Sequence, residues 1–282
     1  MQEKKEIQGK EKIKKKNNIL IWKKGEMRKK MAISIKKIEE KDNVSSYLIK
    51  GTSPAFINAI RRSIMLHTPC LAVEDVSIYE NDSVMFDEML AHRLGMLPLK
   101  TDVKTYKQGD TVKLVLEKEG PCTVYSKDIK STDPKIEVMN KDIPITKLGK
   151  GQKLRLEMTA MMNQGKEHAK WQPAVIGYRE LPTLAVSSDF KAGKEAVEAC
   201  PVNILELKGQ KVELREPEKC SLCAACVDAA KGEGIKLEFD KSTYIFTMEP
   251  TAGLTAKETI EGAINAIESK SKEFEKLIGK AK

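Results

Sequence analysis

Cys220, Cys223 and Cys226 form a C-x2-C-x2-C run, and three thiols that close together argue for a metal centre. The spacing equals the first three ligands of the bacterial ferredoxin run C-x2-C-x2-C-x3-C-P, in which tight loop turns gather several thiolates around one cluster. Ala230 stands at the fourth position of that run, so one ligand is missing locally. In two-cluster ferredoxins the fourth cysteine of each run crosses to the other cluster, and Cys200-Pro201 supplies such a residue here. Counting back from Cys200 by the same spacing puts Ala196, Gly193 and Phe190 where three further cysteines would stand. The losses at Phe190, Gly193, Ala196 and Ala230 therefore fall on one cluster, and the survivors Cys200, Cys220, Cys223 and Cys226 belong to the other. The expectation is one 4Fe-4S cluster, with a 3Fe-4S form if one thiol does not bind. A zinc site is the alternative, because zinc also accepts four thiolates. Cys70 and Cys122 stand alone and read as small buried hydrophobes.

The elements around this centre are legible from periodicity. Two strands, Ile33 to Ile38 and Val44 to Lys50, lead into Thr52-Ser53-Pro54, a helix cap followed by proline at the first helical position. Ile57, Ile60 and Ile64 then give a buried stripe, with Asn58, Arg61 and Arg62 on another face. Those two arginines read as a solvated face or as a contact for an acidic partner or phosphate. An alternating stretch from Val73 to Tyr79 precedes a short helix near Asp87 to Leu94, and Val112 to Leu116 and Leu154 to Met158 alternate again, so residues 70–170 read as mainly β. The segment Asn163 to Pro173 has no clear period and reads as a loop anchored by aromatics. At the C-terminus Thr255 and Glu258 make a capping box, followed by Ile260, Ile264, Ile267, Ser271, Phe274 and Ile278 at heptad spacing. Such a helix would run roughly 35 Å at 1.5 Å per residue, and it either packs on its own sheet or shares a helix–helix interface with another chain.

The 282 residues are 40% hydrophobic and 32% charged, enough apolar surface for a core and too much charge for a membrane protein. The apolar run Ile19 to Trp22 is far shorter than the ~20 residues of a span or the ~7 of a signal-peptide core, so a cytoplasmic chain of about two domains is expected. Of the net +9, residues 1–30 hold +8, from twelve Lys/Arg and four Glu, which leaves +1 from Met31 onward. A nearly neutral remainder argues against a nucleic-acid-binding module. Residues 1–30 read as a solvated basic tail, or as a segment upstream of a true start at Met31. No Walker loop, H-E-x-x-H, G-x-S-x-G or D-x-D-x-D cluster is present, so no catalytic site is expected. His67, His92 and His168 are scattered, with no second histidine at ligand spacing.

Asn58 to Arg62, Val73-Glu74-Asp75-Val76, the long motif Asp87 to Leu99 (D-E-M-L-A-H-R-L-G-M-L-P-L) and Gly165 to Trp171 (G-K-E-H-A-K-W) resemble the D-type subunit family of archaeal RNA polymerase. That family is similar to the third-largest subunit of eukaryotic RNA polymerase II and, more distantly, to the N-terminal domain of the bacterial alpha subunit. The resemblance covers about Met31 to Lys282 and implies an α+β fold. Its parts would be a discontinuous alpha-subunit-like dimerisation domain at 31–69, 171–186 and 241–282, a mainly β insert domain at 70–170, and an inserted ferredoxin-like iron–sulfur domain at 187–240. It also implies a non-catalytic assembly platform within a nucleotidyltransferase complex, pairing with subunit L through the Ile260 to Ile278 seam. Subunits N and P and the two largest subunits would join that pair, with Arg61, Arg62, His92 and Arg93 facing a large subunit and DNA met only through the assembled complex. The cluster reads as structural, with a regulatory role open. A ferredoxin-like electron carrier is the competing reading, but it needs only the region near 187–240.

Overall fold

The computed structural model describes residues 33–187, 190, 192–209, 211–231 and 234–280. The basic segment 1–30 and the proposed start at Met31 lie outside the described residues. The chain runs through β1 (Ser34–Lys41), β2 (Val44–Lys50), α1 (Pro54–His67), β3 (Pro69–Asn81) and α2 (Asp87–Gly95). It continues through β4 (Thr111–Glu119), β5 (Cys122–Tyr125), β6 (Lys130–Ser131), β7 (Pro144–Leu148), β8 (Lys153–Gln164) and β9 (Ala174–Val186). Then follow α3 (Gly193–Glu198), β10 (Leu205–Lys208), β11 (Lys211–Leu214), α4 (Ala225–Ala229), β12 (Ile235–Pro250) and α5 (Ala256–Lys280).

The platform is an antiparallel sheet in the order β1-β2-β12-β9, so strands far apart in sequence lie side by side. Alternation sends Tyr244, Phe246 and Met248 of β12 and Ala174 and Ile176 of β9 to one face, where they meet Ile57, Ile60 and Ile64 of α1 and Ala263 of α5. Helix α1 starts where the sequence places it, with the Ser53 hydroxyl accepting from the Phe56 N–H at 3.3 Å. Helices α1 and α5 approach closely: the Ser63 hydroxyl donates to the Ala263 carbonyl at 2.9 Å, and a Cβ on Gly262 would fall 2.8 Å from the Thr68 methyl.

Two units interrupt the platform. The first is the mainly β insert, a β3-β8-β4-β6 sheet with a β5–β7 ladder beside it. Leu114 and Leu116 of β4, Leu156 and Met158 of β8, and Leu90 and Leu94 of α2 fill its core. A small joint of Cys70, Ala72, Trp171, Ala252 and Leu254 ties it to the platform. The second holds the C-x2-C-x2-C run. Strand β12 begins at Ile235, inside the segment 187–240 that the resemblance assigns to this unit, and pairs with β9 from Ile235↔Val186 through Asp240↔Leu181. After a register shift the same two strands continue into the platform at Tyr244↔Glu180.

The loop expected at Asn163 to Pro173 is shorter than the sequence suggests, since β8 extends to Gln164 and Ala169–Trp171 forms a 3-10 turn. Gly165 is required there: a Cβ would lie 2.0 Å from the Met65 carbonyl oxygen.

Candidate metal centre and assembly surfaces

Cys200 follows α3, Cys220 and Cys223 sit on the loop that leads into α4, and Cys226 lies in the first turn of α4. All four line one apolar pocket with Leu184, Ile204, Leu205, Leu214 and Leu237. Its floor is built from the long ladder, because Leu184 of β9 and Leu237 of β12 are direct cross-strand partners. The loop turns sharply at two non-glycine residues with left-handed backbone, Leu222 (φ 58°) and Ala224 (φ 59°), each between two of the cysteines. Such residues are rare outside glycine and concentrate where the backbone must wrap a bound group.

The thiols are all free, and their environments differ. Cys200 is buried, Cys220 and Cys226 are half-buried, and Cys223 is exposed. Burial pushes the Cys226 thiol up, with backbone N–H groups opposing it and Cys200 and Cys220 adding to it. The Ala225 N–H, and after it the Ser221 hydroxyl, hold Cys223 below the usual thiol value and favour its thiolate. Among the described residues no group of three or more His, Cys, Asp or Glu is arranged to hold a metal ion. What the four residues offer is a set of thiolate donors, the chemistry that zinc and iron–sulfur centres both use.

The positions aligned with the missing ligands have become core. Phe190, Ala196 and Ala230 are buried against Val212 and Ile235, and Gly193 is buried where a Cβ would come within 2.8 Å of Leu207. Cys70, by contrast, is wholly buried beside Trp171, and burial pushes its thiol up to about 12, an inert packing residue as its isolation suggested.

The C-terminal seam divides. Ile260 and Ile267 pack against the platform core, together with the buried Thr259 and Ala263, so these two members belong to the chain's own sheet. Ile264, Ser271, Phe274 and Ile278 are exposed, and Leu277, which lies outside the heptad pattern, joins them. The covered part of α5 is set by its packing on α1 and β12, at Thr259, Ile260, Ala263 and Ile267; from Lys270 on, every described residue is exposed.

The four polar residues expected at a large subunit have different surroundings. Arg62 and His92 are exposed. Arg61 is half-buried and donates to the Asn58 side-chain oxygen at 3.0 and 3.2 Å. Arg93 is largely spoken for, donating to the Pro144 and Ile145 carbonyls of β7 at 2.5 and 3.2 Å, which locks α2 onto the insert. Sequence reasoning expected aromatic anchoring of the G-K-E-H-A-K-W segment but missed its polar part: Lys170 pairs with Glu74, donates to the Val73 carbonyl at 2.9 Å and lies 4.5 Å from the Trp171 ring centre. The Trp171 N–H donates to the Met161 carbonyl at 2.9 Å. The signal was present, because Glu74 and Lys170 both fall in the stretches that carried the resemblance.

Comparison with known proteins gives consistent results. Residues 76–191 match the family described as RNA polymerase Rpb3/RpoA insert domain. The chain is similar to DNA-directed RNA polymerase subunit Rpo3 of Methanosarcina acetivorans, 37% identical over 260 residues that cover 86% of this chain and 97% of the relative. It is also similar to the Rpo3 subunits of Pyrococcus furiosus, at 35% over 86% of this chain and 95% of the relative, and of Archaeoglobus fulgidus, at 34% over 88% and 98%.

Proposed function

The chain belongs to the Rpo3 family of DNA-directed RNA polymerase subunits, and from that membership we propose that it is the non-catalytic platform on which other subunits of the enzyme assemble. Its first partner is the small subunit L, docked on the free half of α5. The observation that carries this is the exposure of Phe274, Leu277 and Ile278 on a helix whose first half is already committed to the core, with Ile264 exposed beside that packed half. Three large apolar side chains on the free half are an unmet burial, which a partner helix relieves. Subunits N and P and the two largest subunits then join this pair, with Arg62 and His92 as exposed contacts. Production of the full chain with and without subunit L tests the reading. A soluble one-to-one complex, lost on changing Phe274 and Ile278 to Asp, is expected; an unpaired chain that stays monomeric and soluble overturns it.

Cys200, Cys220, Cys223 and Cys226 would hold one 4Fe-4S cluster, and what the cluster supplies there is a covalent cross-link between two segments of a small unit. The C-x2-C-x2-C spacing, with Cys200-Pro201 at the crossing position, supports this over zinc, which needs four thiolates but not that run. Anaerobic purification followed by iron, sulfide and zinc analysis and electron paramagnetic resonance decides it. About four irons per chain fit the reading. About three mark the 3Fe-4S form, and one zinc without colour replaces the cluster while leaving the assembly role standing.

A further inference from the structure

Arg179 follows Tyr178 on β9, and strand alternation puts it on the sheet face opposite the α1 and α5 core. Its half-buried guanidinium donates from Nη1 to the Cys220 carbonyl at 2.7 Å and from Nη2 to the Glu218 carbonyl at 2.6 Å. The turn that receives this fork is the 3-10 segment Pro217–Lys219, which closes with the Lys219 N–H on the Glu216 carbonyl and the Cys220 N–H on the Pro217 carbonyl. Among the described residues the Glu218 and Cys220 carbonyls receive no backbone donor, so the arginine satisfies what the turn leaves open. A planar fork meeting two carbonyls of one turn fixes its orientation as well as its position, which a lysine cannot do.

The location gives the fork its consequence. Arg179 lies opposite Ile245, on the platform side of the register shift, whereas the pocket floor of Leu184 and Leu237 lies on the far side. The first cysteine of the loop is thus tied to both stretches of one continuous ladder. Among the described residues Arg179 forms no ion pair that would give it another occupation.

We infer that Arg179 is a positioning residue that couples the cysteine loop to the platform sheet. It holds the turn bearing Cys220 in place ahead of cluster assembly and transmits the loosening of that loop to β9 when the cluster is lost. The second half of this statement rests on the cluster reading given above; the clamp itself rests on the two hydrogen bonds.

Iron release and amide hydrogen exchange on the full chain test it, using Arg179→Met, which keeps an apolar stem and removes both donors, and Arg179→Lys, which keeps the charge without the fork. After anaerobic reconstitution the Met variant is expected to surrender iron to a chelator about tenfold faster than the unsubstituted chain, the scale of losing hydrogen bonds from a charged donor, with the Lys variant between them. Amides of residues 217–221 should exchange faster by a similar factor. Stripping iron from the unsubstituted chain should speed exchange at residues 178–181, and this response should vanish in the Met variant. Equal iron release and equal protection of 217–221 in all three chains overturns the inference. A chain that takes up no iron overturns the cluster reading alone. The clamp then stands or falls on whether 217–221 exchange faster in the metal-free Met variant, or in the Lys variant if the Met variant does not fold.

Discussion

The insert and the cysteine unit both interrupt the same platform sheet, yet they are held together by different means. Among the described residues the insert buries nineteen hydrophobic residues in one cluster, and the cysteine unit eight, one of them Cys200 itself. The larger core gives the insert more apolar burial to order its strands, while the smaller one gains from the β9–β12 ladder and, under the reading proposed above, from the tie of a bound cluster. The contrast repeats inside the cysteine unit. On the side where the ligand positions hold Phe190, Gly193, Ala196 and Ala230, side chains pack directly; on the side of Cys200, Cys220, Cys223 and Cys226 an apolar pocket lies among the thiols. With the proposed cluster in that pocket, packing and ligation are alternative ways to stabilise the same small scaffold.

The largest effect should come from removing the tie. Changing Cys220 and Cys223 together to Ser is expected to abolish iron binding and to expose residues 200–231 to protease, while the insert stays protected and the pair with subunit L survives; joining of the large subunits is the step that should suffer. Limited proteolysis and subunit pull-down read these outcomes, and equal protease resistance of the cysteine unit with and without the thiols breaks the comparison. Next in size is Phe190→Ala, which should cost about 3–5 kcal/mol locally through a cavity in the packed half, and should leave the iron content of an anaerobic preparation near its normal value if the two halves are separable. Leu156→Ala in the insert should cost about 2–5 kcal/mol in denaturant titration with no change in iron. A shared loss of iron in either variant would show that the two units are not independently held.

Smaller effects lie in the platform itself. The Thr255 hydroxyl and N–H both donate to the Glu258 carboxylate, at 2.7 and 3.0 Å, so Thr255→Ala should cost about 1 kcal/mol and fray the start of α5. His67 provides the smallest effect. Burial, followed by Lys270, Lys166 and Arg62, holds its imidazole below the usual histidine value, and Lys270 of α5 lies 2.7 Å from its Nε2. The unfolded chain therefore takes up this proton more readily than the folded one, so the contribution is complete above the ordinary histidine range and declines as pH falls through it. A thermal melt between pH 7.5 and 5.5 should show a small fall in Tm, which His67→Gln removes.

Residue type and spacing were enough to single out the four cysteines that share one pocket, the cap of α1, the alternation of β4 and β8, and the capping box of α5. Each is a local pattern in which one backbone period or one loop spacing fixes the outcome. The resemblance carried by Asp87 to Leu99 and Gly165 to Trp171 pointed to the family to which the chain belongs, because such long runs are specific. What the sequence could not reveal depended on where distant segments meet. Periodicity alone does not say that β9 and β12 run through the platform into the cysteine unit, since their register is set by partners far apart along the chain. Nor does a heptad count say that Ile260 and Ile267 turn inward while Ile264 and Phe274 face out, because the way α5 seats on α1 and β12 decides which of its residues are covered. The resemblance placed Arg93 at a large subunit and nothing in the sequence singled out Arg179; only the tertiary structure brings the two to carbonyls of β7 and of the cysteine loop, where an unpaired backbone oxygen gives a guanidinium its partner.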